Sequence, residues 1–296
     1  MSDILQQKIT DDYTMIQGDC VDILRTIPDN SIDYSIFSPP FSSLYTYSDS
    51  ERDLGNCTTQ EEFFTHYRFL STELFRILKP GRLISVHCML LPSSKQNDGF
   101  IGLKDFRGEL IRAHQSDGFY FHSEVVIWKD PVIAMQRTKA IGLLYKQLRK
   151  DGTLSRQGIP DYLITLRKPG INSEPVTHTP EDFPLDLGQR YASPVWDDIN
   201  PSDTLQRFSV REERDERHIA PLQLQVIERG IQLWTNPRDV VLDPFAGIGS
   251  TGVVVRRMGR RFVGCELKTS YYQQAVANID EMEKQQDLFT LQEPSA

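Results

Sequence analysis

A chain of 296 residues, 39% hydrophobic and 25% charged, has the makeup of an ordinary globular protein of one large domain or two modest ones, and no run reaches membrane-spanning length. Its polar start, MSDILQQKITDD, lacks the basic region and apolar stretch of a signal peptide, so a cytoplasmic protein is expected. A net charge of −8 would argue against nucleic-acid binding if it were evenly spread, but from Lys129 to Lys168 nine Lys or Arg stand against three Asp, giving +6 there and −14 elsewhere.

In chain order, YTMIQ (13–17) reads as a short strand ending at Gly18-Asp19, a helical turn follows through VDILRTI, and SIDYSIF is a second strand that runs into FSPPF, residues 37–41. Each proline of that stretch fixes its own φ and pushes the residue before it out of the helical region. Ser38, the Pro39 carbonyl and the Phe41 ring are thereby clustered at a strand's carboxyl end, where open α/β sheets place their ligands. Thr59 fits a helix N-cap with Glu62 at N3, and Phe63, Phe64, Tyr67, Leu70, Leu74, Ile77 and Leu78 keep helical spacing until KPG stops it. RLISVHC is a third strand, DFRGELIRAHQSDG an amphipathic helix, and FHSEVVIW and DYLITLRK are two more strands, the second closed by Pro169-Gly170. Residues 171–217, proline-rich and ending in REERDER, break the rhythm and read as an inserted module. A helix from Pro221 through Trp234 then leads into the strand DVVLDPF. Strands alternating with helices predict an α/β fold with a mostly parallel sheet.

DPFAGIGSTG, residues 243–252, joins that strand to a helix starting near Ser250 and a further strand ending at Glu266. Gly247, Gly249 and Gly252 fit GxGxxG, which lets backbone approach a ligand while the helix aims free N–H groups at it. Glu266 lies 23 residues after Asp243, where a carboxylate can accept both hydroxyls of a ribose. GIGSTG has no Lys, which excludes a phosphate-binding P-loop. Only one strand follows the turn, so the sheet must be completed by N-terminal strands, and the ends of VVLDPF and YSIFSPPF become neighbours at one carboxyl edge. The four cysteines and six histidines are dispersed, so neither a disulfide nor a metal is expected.

Together, SPPF upstream and DPFAGIGSTG downstream resemble the amino-group DNA methyltransferases of the circularly permuted β class. GDC near the start, FRILKPGRLISVH, EVVIWKDP, DYLITLRKPG, HIAPLQL and GRRFVGCEL extend the likeness over nearly the whole chain. The resemblance implies a Rossmann-like methyltransferase fold, S-adenosylmethionine as cofactor, double-stranded DNA as substrate, and a bacterial or phage-encoded enzyme of the restriction-modification type. By position, Ser38, Pro39, Pro40 and Phe41 match the catalytic tetrapeptide, and Phe245, Gly247 and Gly249 the cofactor loop. Asp243 matches the acidic residue before that loop, Glu266 the ribose carboxylate, Asp19 an acidic residue near the adenine, and His218 the segment beside the methionine moiety. The chain then divides into a catalytic half (1–170, with a basic loop 130–158), a target-recognition insert (171–217) and a cofactor-binding half (218–296). Arg137, Lys139, Lys146, Arg149, Lys150 and Arg156 are expected on DNA phosphates. Within the family, Ser before PPF usually accompanies cytosine N4 and Asp before PPY adenine N6, which favours cytosine N4 with adenine N6 as the alternative. Carbon-5 methylation needs a cysteine after proline, and the chain has no Pro-Cys.

The tail EMEKQQDLFTLQEPSA is expected to be a short helix followed by a flexible polar end. Within it QQDLF resembles the pentapeptide by which bacterial replication proteins dock on the sliding clamp, through Gln285, Leu288 and Phe289. A homodimer is a further expectation.

Overall fold

The computed structural model describes residues 4–41, 54–57, 59–132, 145–154, 156–205 and 221–292. β1 (Gln6–Ile9) and β2 (Tyr13–Gln17) form a hairpin, α1 (Cys20–Leu24) follows, and β3 (Ile32–Phe37) runs into SPPF. α2 (Gln60–Ile77) opens on Thr59, whose hydroxyl accepts the Glu62 N–H at 3.1 Å, as the spacing predicts. β4 (Leu78–Met89) begins immediately after, so KPG lies inside the strand instead of separating it from the helix. Its Gly81, at φ 75, takes up a register shift between the Ile32–Leu78 and Tyr34–Leu83 pairs, a local bulge that needs left-handed backbone.

A small hairpin of β5 (Leu91–Ser93) and β6 (Gly102–Lys104) brackets α3 (Lys95–Asp98). α4 (Phe106–Ser116), capped by Asp105, leads to β7 (Tyr120–Ile127), and α5 (Tyr145–Asp151) precedes β8 (Asp161–Arg167). Then come α6 (Leu185–Tyr191), β9 (Val195–Trp196), α7 (Leu224–Trp234), β10 (Val240–Asp243), α8 (Ser250–Arg257), β11 (Arg261–Glu266) and α9 (Thr269–Gln292).

Nine strands form one sheet in the order β1-β2-β11-β10-β3-β4-β8-β7-β9. From β2 to β4 all neighbours are parallel; β1 is antiparallel to β2, β8 is antiparallel to both β4 and β7, and β9 is parallel to β7. All six residues of β3 are buried, as a central strand covered on both faces requires. Phe37, Ile84 and Val86 pack with Tyr67, Leu70, Leu74 and Leu110 of α2 and α4 on one face. Tyr34 and Ile36 pack with Val226, Ile231, Val254 and Ile279 of α7, α8 and α9 on the other. This is the doubly wound α/β architecture, with a mostly parallel sheet, that the alternating pattern implies.

Two stretches differ from the sequence reading. Residues 171–205 are joined to the sheet and do not form a separate lobe: β9 pairs with β7, and Trp196, 1% exposed, sits in the second core cluster. Arg229 of α7 lies 4.9 Å from the ring centres of Tyr191 and Trp196 and donates to Asp198 at 2.7 Å. In the tail, the helix runs on to Gln292, so the backbone of QQDLF is helical where a flexible segment is expected. Gln285 is exposed, and the side chains of Leu288 and Phe289 lie outside the described residues.

Candidate active site

β10 and β3 are parallel neighbours, with Leu242 beside Ser35, so the glycine turn and SPPF leave the sheet at the same edge. From β3 the chain crosses to β4 on one side, and from β10 to β11 on the other, which makes this pair the point where connections diverge and a crevice opens. Phe37, just before SPPF, and Phe245, within the glycine turn, meet at 5.9 Å between ring centres across the pair.

On the glycine side, Asp243 is buried and its carboxylate accepts the Phe245 N–H at 2.9 Å and the Thr251 hydroxyl at 2.6 Å, tying the turn to α8. Burial pushes its pKa up to about 6, against those two hydrogen bonds. Gly249, at φ 88, is the N-cap of α8, and an added Cβ would come within 3.0 Å of the Ala275 backbone. Glu266 ends β11 and is fixed through both oxygens: Oε2 accepts the Gly247 N–H and Oε1 the Lys268 N–H, each at 2.9 Å. A carboxylate oxygen can accept more than one hydrogen bond. The Gly18 N–H donates to the Glu266 carbonyl at 3.0 Å, which brings Asp19 to the same edge, where its Oδ1 caps α1 through the N–H groups of Val21 and Asp22. The Ser250 hydroxyl is buried at the start of α8 and has no hydrogen-bond partner among the described residues. A carboxylate at a strand end, the amides at the start of α8 and a buried hydroxyl are groups that suit a nucleoside carrying an amino-acid carboxylate.

On the SPPF side, Pro39 and Pro40 are buried while Ser38 and Phe41 are half-buried. The Phe37–Val86 register puts Ser38 beside His87 of β4, and Ser38 Oγ lies 3.0 Å from His87 Nδ1. His87 Nε2 lies 3.0 Å from Asp161 Oδ2 on β8, and Lys129, just past β7, pairs with the same oxygen. Phe41 packs 6.0 Å from both the His87 ring and Phe106. Burial alone would raise the pKa of Asp161, but His87 and Lys129 outweigh it and hold the carboxyl below the ordinary range. Sequence reasoning missed His87 and Asp161, although both close or open strands at the edge that carries SPPF.

The basic segment divides into two kinds of cation. Lys129 is committed to Asp161, and Lys168 is buried, donating to Asn30 and to the Leu78 carbonyl. Arg149 and Lys150 are exposed on α5, whereas Arg156 is half-buried and donates to the Gln157 carbonyl. Arg137, Lys139 and His218 lie outside the described residues, as does the side chain of Lys146.

Comparison with known proteins matches residues 32–277 to the N6_N4_Mtase family, described as DNA methylase. The chain is 25% identical over 286 residues to the type II methyltransferase M1.MboII of Moraxella bovis, covering 90% of this chain and 96% of that one. Among solved structures it is similar to the cytosine-N4-specific PvuII DNA methyltransferase, with TM-score 0.66, 17% identity, and 95% and 94% of the two chains covered. It is similar also to a DNA modification methylase of Thermus thermophilus complexed with S-adenosyl-L-methionine, with TM-score 0.65, 22% identity, and 90% and 94% coverage. At these identities the two structures show a shared fold.

Proposed function

We propose that this chain, which belongs to the N6_N4_Mtase family of DNA methylases, methylates the N4 amine of a cytosine flipped out of duplex DNA. It is an S-adenosylmethionine-dependent DNA methyltransferase acting on an exocyclic amine, and the choice of cytosine is our reading. The observation that carries it is Ser38 in place at the shared edge of β3 and β10, in the position that adenine-specific relatives usually fill with Asp. Bound S-adenosylmethionine supplies an electrophilic methyl group on its sulfonium sulfur. Glu266, Asp19, the glycine turn and the start of α8 would hold it.

An exocyclic amine is a poor nucleophile because its lone pair is delocalised into the ring. Ser38 Oγ and the Pro39 carbonyl offer two acceptors that draw the amino hydrogens out of plane. The buried prolines keep both acceptors in position, and positioning is most of what direct transfer requires. Phe41 offers a face for the extruded base, whose unstacking costs a few kcal/mol. Digestion of methylated DNA to nucleosides, followed by mass spectrometry, tests the choice of base: N4-methylcytosine is expected, and N6-methyladenine would overturn it.

Replacing Glu266 with alanine is expected to weaken S-adenosylmethionine binding about tenfold or more, since a ribose acceptor and the anchor of Gly247 are lost together. Unchanged affinity by calorimetry would remove the carboxylate from the cofactor site. For DNA, the joint change of Lys146, Arg149 and Lys150 to Gln is expected to weaken binding equally on specific and random duplexes. The slope of log affinity against log salt should flatten by about 2 to 3. An unaltered slope would move the phosphate contacts elsewhere.

Residues 171–217 are our assignment for target reading. Because Trp196 belongs to the core, exchange of exposed positions with a relative tests this better than deletion. The clamp-docking role of Gln285, Leu288 and Phe289 rests on sequence alone and falls if purified clamp fails to capture the intact chain. Pairing as a homodimer is tested by the mass in solution.

A further inference from the structure

We propose that His87 and Asp161 fix the direction of the Ser38 hydroxyl, so that it meets the target amine only as an acceptor, and that His87 takes up the proton the amine gives away. The inference rests on Ser38 being the catalytic acceptor and goes beyond it to two positioning residues. Asp161 is 1% exposed, and its Oδ2 receives both His87 Nε2, at 3.0 Å, and Lys129 Nζ. An ionised carboxylate can only accept, so in the neutral, resting imidazole the one proton sits on Nε2. Nδ1 is then an acceptor, and the partner it has, Ser38 Oγ at 3.0 Å, must donate to it. With its one proton so committed, Ser38 turns only lone pairs toward the base. Lys129 keeps Asp161 anionic and restrains it from taking a proton itself. Phe41, whose ring centre is 6.0 Å from that of His87, covers the link on the substrate side.

The proton balance then closes. As the amine nitrogen's lone pair forms the bond to the methyl carbon, the carbon–sulfur bond breaks and its electron pair stays on sulfur. The nitrogen is left with one proton in excess. That proton passes to Ser38 Oγ while the Ser38 proton passes to His87 Nδ1. The methylated amine is neutral, Ser38 is again a hydroxyl, and the imidazolium charge lies against Asp161.

A structural staple joining β3, β4 and β8 would use the same contacts, so the test separates the two roles. Long-range proton–nitrogen NMR on the full chain should show His87 as the Nε2–H tautomer; an Nδ1–H tautomer overturns the proposal without any variant. Asp161→Asn presents an amide N–H to His87 Nε2 and should reverse the tautomer. Single-turnover methyl transfer is expected to fall by about two to three orders of magnitude, no more than the loss of the Ser38 acceptor through which the pair acts, with S-adenosylmethionine affinity within about twofold of the wild type. In a Ser38→Ala background the same change should cost less than about threefold more, because the pair acts only through Ser38. Asp161→Asn turnover within about threefold of wild type, or an equal loss in both backgrounds, would sink the relay. If Ser38→Ala alone loses nothing, it is the underlying assignment of Ser38 that fails.

Discussion

Ser38→Ala is expected to lower methyl transfer by about two to three orders of magnitude while S-adenosylmethionine binds as before, as the loss of one transition-state acceptor does. The separation follows from the architecture. Ser38 leaves β3, whereas Glu266 and Gly249 belong to β11 and the cap of α8, so the methyl group of alanine changes nothing on the cofactor side. The Pro39 carbonyl remains and keeps part of the rate. His87 Nδ1 loses its partner, a local cost of about 1 kcal/mol that leaves the fold intact. Single-turnover kinetics with saturating DNA, set beside calorimetry of the cofactor, measures both halves. Near wild-type turnover would remove Ser38 from the chemistry, and a parallel loss of cofactor affinity would mean that the two motifs are not separable.

The glycine turn, SPPF and the alternation of strands and helices are legible in the sequence because each is written locally. A proline pair, a glycine at positive φ or an apolar run of six leaves its mark within one short window. The link behind Ser38 is not written that way. His87 sits at the end of RLISVHC and Asp161 at the start of DYLITLRK, and each stretch alone reads as an ordinary buried strand. They meet because β4 and β8 pair antiparallel, with His87 opposite Leu163 and Met89 opposite Asp161, a register that no local pattern states. Lys129 and Asp161 enter the sequence only as opposite signs in one charge sum; in the structure they are a pair. β9 is hidden for another reason: two residues, Val195 and Trp196, are too few to show a period, and it is their pairing with β7 that makes them part of the sheet, with Trp196 buried and Val195 exposed.

At the opposite edge from the site, Arg82→Met is expected to destabilise the protein by about 3–5 kcal/mol. Arg82 is 2% exposed and joins three strands: it donates to Asp33 of β3 at 3.1 Å and makes a charge contact at 3.1 Å with Asp239, just before β10. Asp33, Glu174 and Asp239 bring carboxylate oxygens within 4.8 Å of one another, a spacing that could serve a cation. Among the described residues Arg82 and Lys79 already stand in that place, with Lys79 2.7 Å from Asp33 and 3.2 Å from Glu174. Methionine fills the volume of the arginine stem but leaves Asp33 with Lys79 and takes from Asp239 the ion pair it makes with Arg82. Burial already holds the Asp239 carboxyl above its ordinary range, with Asp33 adding to the effect. Without the guanidinium the Asp239 carboxyl should take up a proton more readily, so the penalty is fully felt near pH 7 and shrinks as the pH falls through the carboxylate range. For a chain of this size the expected drop in Tm at neutral pH is about 5 to 8 °C. A second change, Asp239→Asn, should recover part of it by removing the stranded charge. A loss under about 1 °C, or one that does not narrow at low pH, would mean that water reaches these groups and that the network does not fasten β3, β4 and β10 together.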